Sequence, residues 1–265
     1  MRAEQIMDEL FSWAHRRFER TCDTLKAGDP QREVTRAAVC CFAAPSVIRA
    51  AADWGAQLLI THEPLYYNHW DDPADRCAAL PAARAKRALI EQTGLTIYRY
   101  HDHPHGAPED MICAGELEAL GLPGRLETLS YFGTNCYHLD APMTPRALAA
   151  HIERTLHIAH VRICGTMDEP CTRITTAFGT PGGVLEELSG PAEIVLVGEA
   201  CEWQLGEYAR DASELGMKKA LLILGHCGSE REGMRFVADQ MKKKLPQIET
   251  RYFESPEVYR YAGQA

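Results

Sequence analysis

The 265-residue sequence contains no run approaching the ~20 apolar residues that a membrane-spanning helix needs. Its N-terminal segment, MRAEQIMDELFSWAHRRFER, is charged throughout and has no apolar leader core, so a cytoplasmic protein is expected. Basic residues never run longer than Lys242-Lys243-Lys244, and the formal net charge is −9. Both observations argue against a nucleic-acid groove or an anionic membrane surface as the main partner. None of the ten cysteines forms a C-x-x-C pair. That excludes the usual thiolate zinc framework and leaves buried free thiols in a reducing compartment. A G-x-S-x-G nucleophile elbow and a G-x-x-x-x-G-K-[ST] phosphate loop are both missing. The glycine-rich GTPGG at 179–183 lacks the lysine of such a loop and reads as a turn opening a helix.

What is present is alternation. Strand-like runs lie near 37–42, 57–61, 95–100, 132–138, 172–178, 193–198 and 220–225. Helix-like runs lie near 3–20, 45–54, 82–93, 111–120, 145–156, 183–188, 202–214 and 230–244. This pattern predicts an α/β fold with largely parallel or mixed sheets. A shift of 137 positions lays the segment from Thr35 onto the segment from Thr172 without a gap. Thr35-Arg36 then falls on Thr172-Arg173, Leu58 on Val195 and His62 on Glu199. Either two ordinary βαβ units are alike by chance, or the chain is an internal duplication of two related α/β domains, 1–130 and 131–265.

Four predicted strands run directly into ionisable residues: QLLIT into His62-Glu63, LTIYRY into His101-Asp102-His103-Pro104-His105, EIVLVG into Glu199, and ALLILG into His226, with Glu230 four residues on. Ligands of open α/β sheets bind beyond the carboxyl ends of the strands, so a convergent cluster of imidazoles and carboxylates is predicted there. In an extended chain His101, His103 and His105 would share one face, with Pro104 breaking the extension. This is a metal-binding pattern or a solvated histidine-rich turn. Ser229-Glu230-Arg231-Glu232 reads as a capping box that places Glu230 in the first turn of a helix. His69 reads as a structural or rim residue. Imidazoles mixed with carboxylates suit zinc, iron, manganese, cobalt or nickel. Five or six such donors are enough to hold two ions.

The segments GAQLLITHEPLYY, IYRYHDHPHGAPEDM, IVLVGEACEWQLGEYARD and LGHCGSEREGMRFVADQM, in this order over about residues 35 to 260, resemble the NIF-three-like family of dinuclear-metal proteins, also labelled GTP cyclohydrolase I type-two homologues. The resemblance implies paired α/β domains, two divalent metal ions per chain, and a homohexamer. It implies metal-ligand roles for His62, Glu63, His101, His105, His226 and Glu230. Glu63 stands where the family usually has a second histidine, and His105 where many members have an aspartate. Glu202 and Trp203 replace the usual histidines that follow the GE of the second repeat.

A metal-dependent hydrolase of cyclohydrolase or phosphoester type is therefore expected, acting on a small molecule, a nucleotide or a phosphoester, with Glu63 or Glu199 as general base. The alternative is a non-catalytic metal carrier or regulatory scaffold.

Overall fold

The computed structural model describes residues 1–16, 18–129, 134–180 and 184–262. Among these, the strands in chain order are β1 (Leu25–Ala27), β2 (Arg36–Cys40), β3 (Leu58–Thr61), β4 (Thr96–Arg99), β5 (Gly124–Leu129), β6 (Thr134–Met143), β7 (Arg162–Gly165), β8 (Cys171–Ala177), β9 (Ile194–Val197), β10 (Ala220–Ile223) and β11 (Glu249–Tyr252). The helices are α1 (Ala3–Ser12), α2 (Pro45–Asp53), α3 (Pro81–Thr93), α4 (Asp102–His105), α5 (Met111–Leu120), α6 (Pro145–Thr155), α7 (Val184–Ser189), α8 (Glu207–Glu214) and α9 (Arg231–Lys244). None of them is long and apolar enough to cross a membrane.

Two compact units result, one of residues 1–112 with 233–265 and one of residues 113–232. The expected halves, 1–130 and 131–265, divide the chain elsewhere. The reason is β11, which returns from the C-terminal end to pair in parallel with β2 and makes the first unit discontinuous. Residues 130–133 and 181–183, covering part of one expected strand and of the GTPGG turn, lie outside the described residues.

The first unit holds a sheet in the order β1-β4-β3-β2-β11, parallel except for β1. Both faces are covered, so β2 and β3 read as unbroken apolar runs. Ala37, Val39, Leu58 and Ile60 face α1 and α9, through Ile6, Leu10, Val237 and Met241. Ala38, Cys40 and Leu59 face α2 and α3, through Val47, Ile48 and Ile90. The N-terminal helix stops at Ser12 rather than continuing to residue 20. Phe18 instead reaches the His103 ring from the following loop, with ring centroids 4.9 Å apart.

The second unit holds a sheet in the order β5-β6-β8-β9-β10-β7, in which β8, β9 and β10 are parallel. Ile174, Ile194 and Leu222 pack with Leu148 and Ile152 of α6. Val195, Val197 and Leu221 pack with Leu188 of α7 and Ala209 of α8.

Each unit therefore contains three adjacent parallel strands with an antiparallel strand on the same flank, β1 beside β4 and β7 beside β10. This is the expected duplication, with one change to its alignment. The Gln57 side chain accepts hydrogen bonds from the backbone of Thr35 and Arg36 at 2.9 Å each. In the second unit Glu193 does the same for Thr172 and Arg173, at 2.7 and 3.0 Å. The strand pairing agrees, since Ala37 pairs with Leu58 while Ile174 pairs with Ile194. The second repeat is thus one residue shorter before its second strand, and Glu199 corresponds to Glu63 rather than to His62.

Candidate metal site

In the first unit β3 and β4 end side by side, with Thr61 opposite Arg99. His62, Glu63 and His101 consequently leave the sheet at one edge. The chain after His101 turns into the short helix α4, so the histidines follow a helical rather than an extended period. His101 and His105, four residues apart, come together on one side. His103 is turned away, against Phe11 and Phe18 at centroid distances of 4.3 and 4.9 Å. It leaves the cluster that an extended chain would have given it.

His62, His101 and His105 have ring centroids 4.6, 5.1 and 5.2 Å apart. One ring nitrogen from each lies within 4.8 Å of the other two. Their tautomers are set by their neighbours. Nδ1 of His62 donates to the Tyr100 carbonyl at 3.0 Å. Nδ1 of His101 donates to Asp102 at 3.0 Å, and Nδ1 of His105 to Asp110 at 2.8 Å. Each acceptor favours the tautomer that keeps its proton on Nδ1 and presents Nε2 as the ligating atom, the arrangement that orients metal-ligating histidines. Glu63 joins them, with Oε1 3.9 Å from Nε2 of both His62 and His101. Its Oε2 lies 3.7 Å from the buried Arg99 guanidinium, which also donates to the His62 carbonyl at 2.9 Å. Burial pushes the His101 pKa down to about 4, against the upward pull of Asp102. His101 is therefore neutral throughout the range where imidazoles ordinarily titrate.

The supporting groups were not singled out from the sequence. Asp102 and Asp110 lie inside the quoted HDHPHGAPED motif, so the signal was present. Burial raises the Asp102 pKa, but bonds from His101 and Thr21 outweigh it and hold the carboxyl below its usual range. Asp23 had no sequence signal. It accepts from the backbone of His101 at 2.6 Å and of His103 at 2.8 Å, and so fixes the turn. Cys22 Sγ lies 3.5 Å from Asp102, and burial pushes its thiol far above the usual range, so it is a hydrogen-bond donor there. His69 takes a rim position, its ring edge-on to His101 at 6.0 Å.

Asp110 tests the tautomer argument. Besides holding His105, its Oδ1 accepts from the Ile112 backbone at 3.0 Å. Asp110→Asn keeps that acceptor but presents an NH₂ to His105, which turns Nδ1 into an acceptor and protonates Nε2. Divalent-metal affinity is expected to fall about 10–100-fold with little change in melting temperature, measured by competition against a chelator and by thermal denaturation.

The second unit repeats the layout. β9 and β10 end together, and the backbone of Gly225 donates to the Gly198 carbonyl at 2.9 Å. Gly225 leaves the strand at φ +90, a conformation that favours glycine. His226 Nδ1 lies 2.7 Å from Glu199, and its Nε2 lies 3.2 Å from Glu230. Glu199, expected as a base, sits as the carboxylate that orients His226. The capping box expected at Ser229 is replaced by other contacts. The Ser229 hydroxyl donates to the His226 carbonyl at 2.8 Å and accepts from Gly179 N at 2.9 Å. Helix α9 begins at Arg231, and Glu230 precedes it. The Glu232 backbone donates instead to the Glu116 carboxylate at 2.7 Å.

Glu116 is fully buried, and desolvation pushes its pKa well above the usual carboxylate range. The sign of its pH effect follows. Between the unfolded pKa and the raised folded pKa, the native state binds more protons than the unfolded state, so this contribution to stability is lost as pH rises through that window. Glu116→Gln keeps an acceptor for Glu232 and removes the buried charge. It is expected to raise stability at pH 8 by roughly 1 kcal/mol or more and to flatten the dependence between pH 5 and 8, as measured by urea unfolding at several pH values.

A family model described as Duf34/NIF3 (NGG1p interacting factor 3) matches residues 1–257. A comparison with curated proteins gave no match. Among solved structures, the chain is similar to a Bacillus cereus protein related to NIF3, with TM-score 0.76, 14% identity and coverage of 99% of both chains. It is similar to protein ybgI, described as of unknown function, with TM-score 0.73, 18% identity and coverage of 98% of this chain and 100% of that one. It is also similar to reduced HcgD from Methanocaldococcus jannaschii, with TM-score 0.73, 16% identity and coverage of 95% and 97%.

Proposed function

The chain belongs to the Duf34/NIF3 family, and on that premise we propose that it binds two divalent metal ions per chain and acts as a metal-dependent hydrolase. The observation that carries the reading is the set of three clustered imidazoles, each with Nδ1 hydrogen-bonded to an acceptor and one ring nitrogen of each within 4.8 Å of the other two. Such a set fits zinc, iron(II) or manganese. His62, His101, His105 and Glu63 would hold one ion. His226 and Glu230, the corresponding pair of the second repeat, would supply donors for the other.

Held by these residues, a divalent ion would supply the chemistry of lowering the pKa of a water and polarising a substrate bond. Glu63 would act in proton transfer if the three imidazoles alone hold the ion, and Glu199, beside His226, would do so if Glu63 is a ligand. The substrate is proposed to be a small molecule with a phosphoester or a purine-type ring. The chain is further proposed to be cytoplasmic and to assemble as a homohexamer, which light scattering tests: a particle near the 29.5 kDa of one chain would reject it.

Burial of His62, Glu63 and His105 favours a second reading, a closed non-catalytic metal site in a carrier or scaffold. A panel of phosphoesters and purine nucleotides, offered to protein reconstituted with zinc, manganese or iron(II), separates the two. Turnover that disappears in His62→Ala supports the hydrolase. Bound metal without turnover of any panel member supports the carrier.

A further inference from the structure

The first unit also contains a cavity of about 660 Å³ whose lining includes none of the clustered imidazoles. It is bounded by β1, by the loop that follows His62-Glu63, and by α3. Its volume lies within the ~300–1,000 Å³ common to small-molecule sites.

The aromatic wall of this cavity is Trp70 and Tyr66. Both rings already attract cations within the chain. The Arg20 guanidinium lies 3.8 Å from the Trp70 ring centroid, and that of Arg87 lies 4.9 Å from Tyr66. The negative faces of the rings account for this attraction.

The charged lining is divided between committed and uncommitted groups. Arg87 is engaged with Tyr66. Lys26 Nζ donates to the Trp70 carbonyl at 3.2 Å and lies 3.7 Å from Asp71 Oδ2. Asp72 and Glu91 are exposed and form no ion pair among the described residues, although Asp72 Oδ1 accepts from the Ala74 backbone at 2.8 Å. Asp71 provides a separate observation. Its side chain is only 2% exposed. Its Oδ1 accepts from the Tyr66 backbone at 2.8 Å, while its buried Oδ2 has the Lys26 ammonium 3.7 Å away as its charge partner but no donor within hydrogen-bond distance among the described residues. A buried carboxylate oxygen without a donor is costly, and a ligand carrying N–H groups would relieve it.

We propose that this cavity binds a small organic cation with N–H donors, an aliphatic amine or a guanidinium, with its body against Trp70 and Tyr66 and its head among Asp71, Asp72 and Glu91. An anion would meet three carboxylates and two cations that already have partners. The inference stands independently of the metal reading. It has a structural link to that site, because Trp70 follows His69, whose carbonyl accepts from Arg99 and whose ring lies beside His101.

The test is titration of the intact protein with putrescine and agmatine, followed by tryptophan fluorescence and calorimetry, with benzoate and inorganic phosphate as anionic probes. Saturable binding of at least one amine is expected. Trp70→Phe should remove the fluorescence change. The double variant Asp72→Asn, Glu91→Gln should weaken binding about tenfold or more. Both substituted residues are exposed, so circular dichroism should show an unchanged fold. The proposal is overturned if neither amine saturates, if the anions bind more tightly than the amines, or if the double variant binds as wild type does.

Discussion

Replacing His101 with alanine is expected to lower the affinity of the first metal ion by at least about a hundredfold, more than the loss of a group that only orients a ligand. His101 stands at the centre of the three-imidazole set, 4.6 Å from His62 and 5.1 Å from His105 between ring centroids. Its neutral form dominates at physiological pH, so binding there does not require expelling a proton from this ring. The fold should survive the substitution. The turn is held by Asp23 through backbone groups, and Asp102 keeps its bonds from Thr21 and Cys22 at 2.7 and 3.1 Å. Chelator competition gives the affinity, and far-ultraviolet circular dichroism reports on the fold. Wild-type affinity in His101→Ala would remove this residue from the ligand set.

The second large effect is expected at Gly179. Its φ of +69 lies in the left-handed region, where an alanine costs about 1–2 kcal/mol. A Cβ added there would also stand 2.2 Å from Glu230 Oε1, closer than non-bonded atoms approach. Either Glu230 moves or the backbone does. Gly179→Ala is therefore expected to lower stability by about 2 kcal/mol or more and, on the proposed ligand set, to reduce metal content by the ion assigned to Glu230, without affecting the site proposed for the first unit. Urea unfolding and metal analysis measure the two effects. Unchanged metal content with unchanged stability would show that the carboxylate does not depend on this approach.

The strands that the sequence revealed are the interior ones, and the ones it hid are the edges. β2, β3, β9 and β10 are largely buried runs rich in Val, Ile, Leu and Ala, and β4 and β8 are largely buried runs that add Thr, Tyr and Cys; all were visible as strands. The unexpected strands β1, β11, β5 and β7 are the outermost members of the two sheets. An edge strand buries little, so Leu25-Lys26-Ala27 and Glu249-Thr250-Arg251-Tyr252 carry no apolar pattern. Helix α4 was hidden for a different reason. Pro104 is compatible with a helix's first turn, and three alternating histidines resemble an extended chain as much as a turn. The site was legible where residues leave strand ends, as at His62, His101 and His226. It was not legible where distant segments supply support, as with Asp23 for the turn and Glu116 for the Glu232 backbone. The duplication was visible in side-chain types, but its one-residue deletion emerged only from the shared capping roles of Gln57 and Glu193.

The central proposal is that each chain holds two divalent ions, with His226 and Glu230 among the ligands, and metal content per chain tests it most directly. Wild type, His226→Ala and Glu230→Ala, each reconstituted with zinc, manganese or iron(II) and freed of unbound metal, would be analysed by plasma emission. Two ions per chain are expected for wild type, and fewer for both variants, with the fold retained. Wild-type occupancy below one ion per chain, or full occupancy in both variants, would contradict the account.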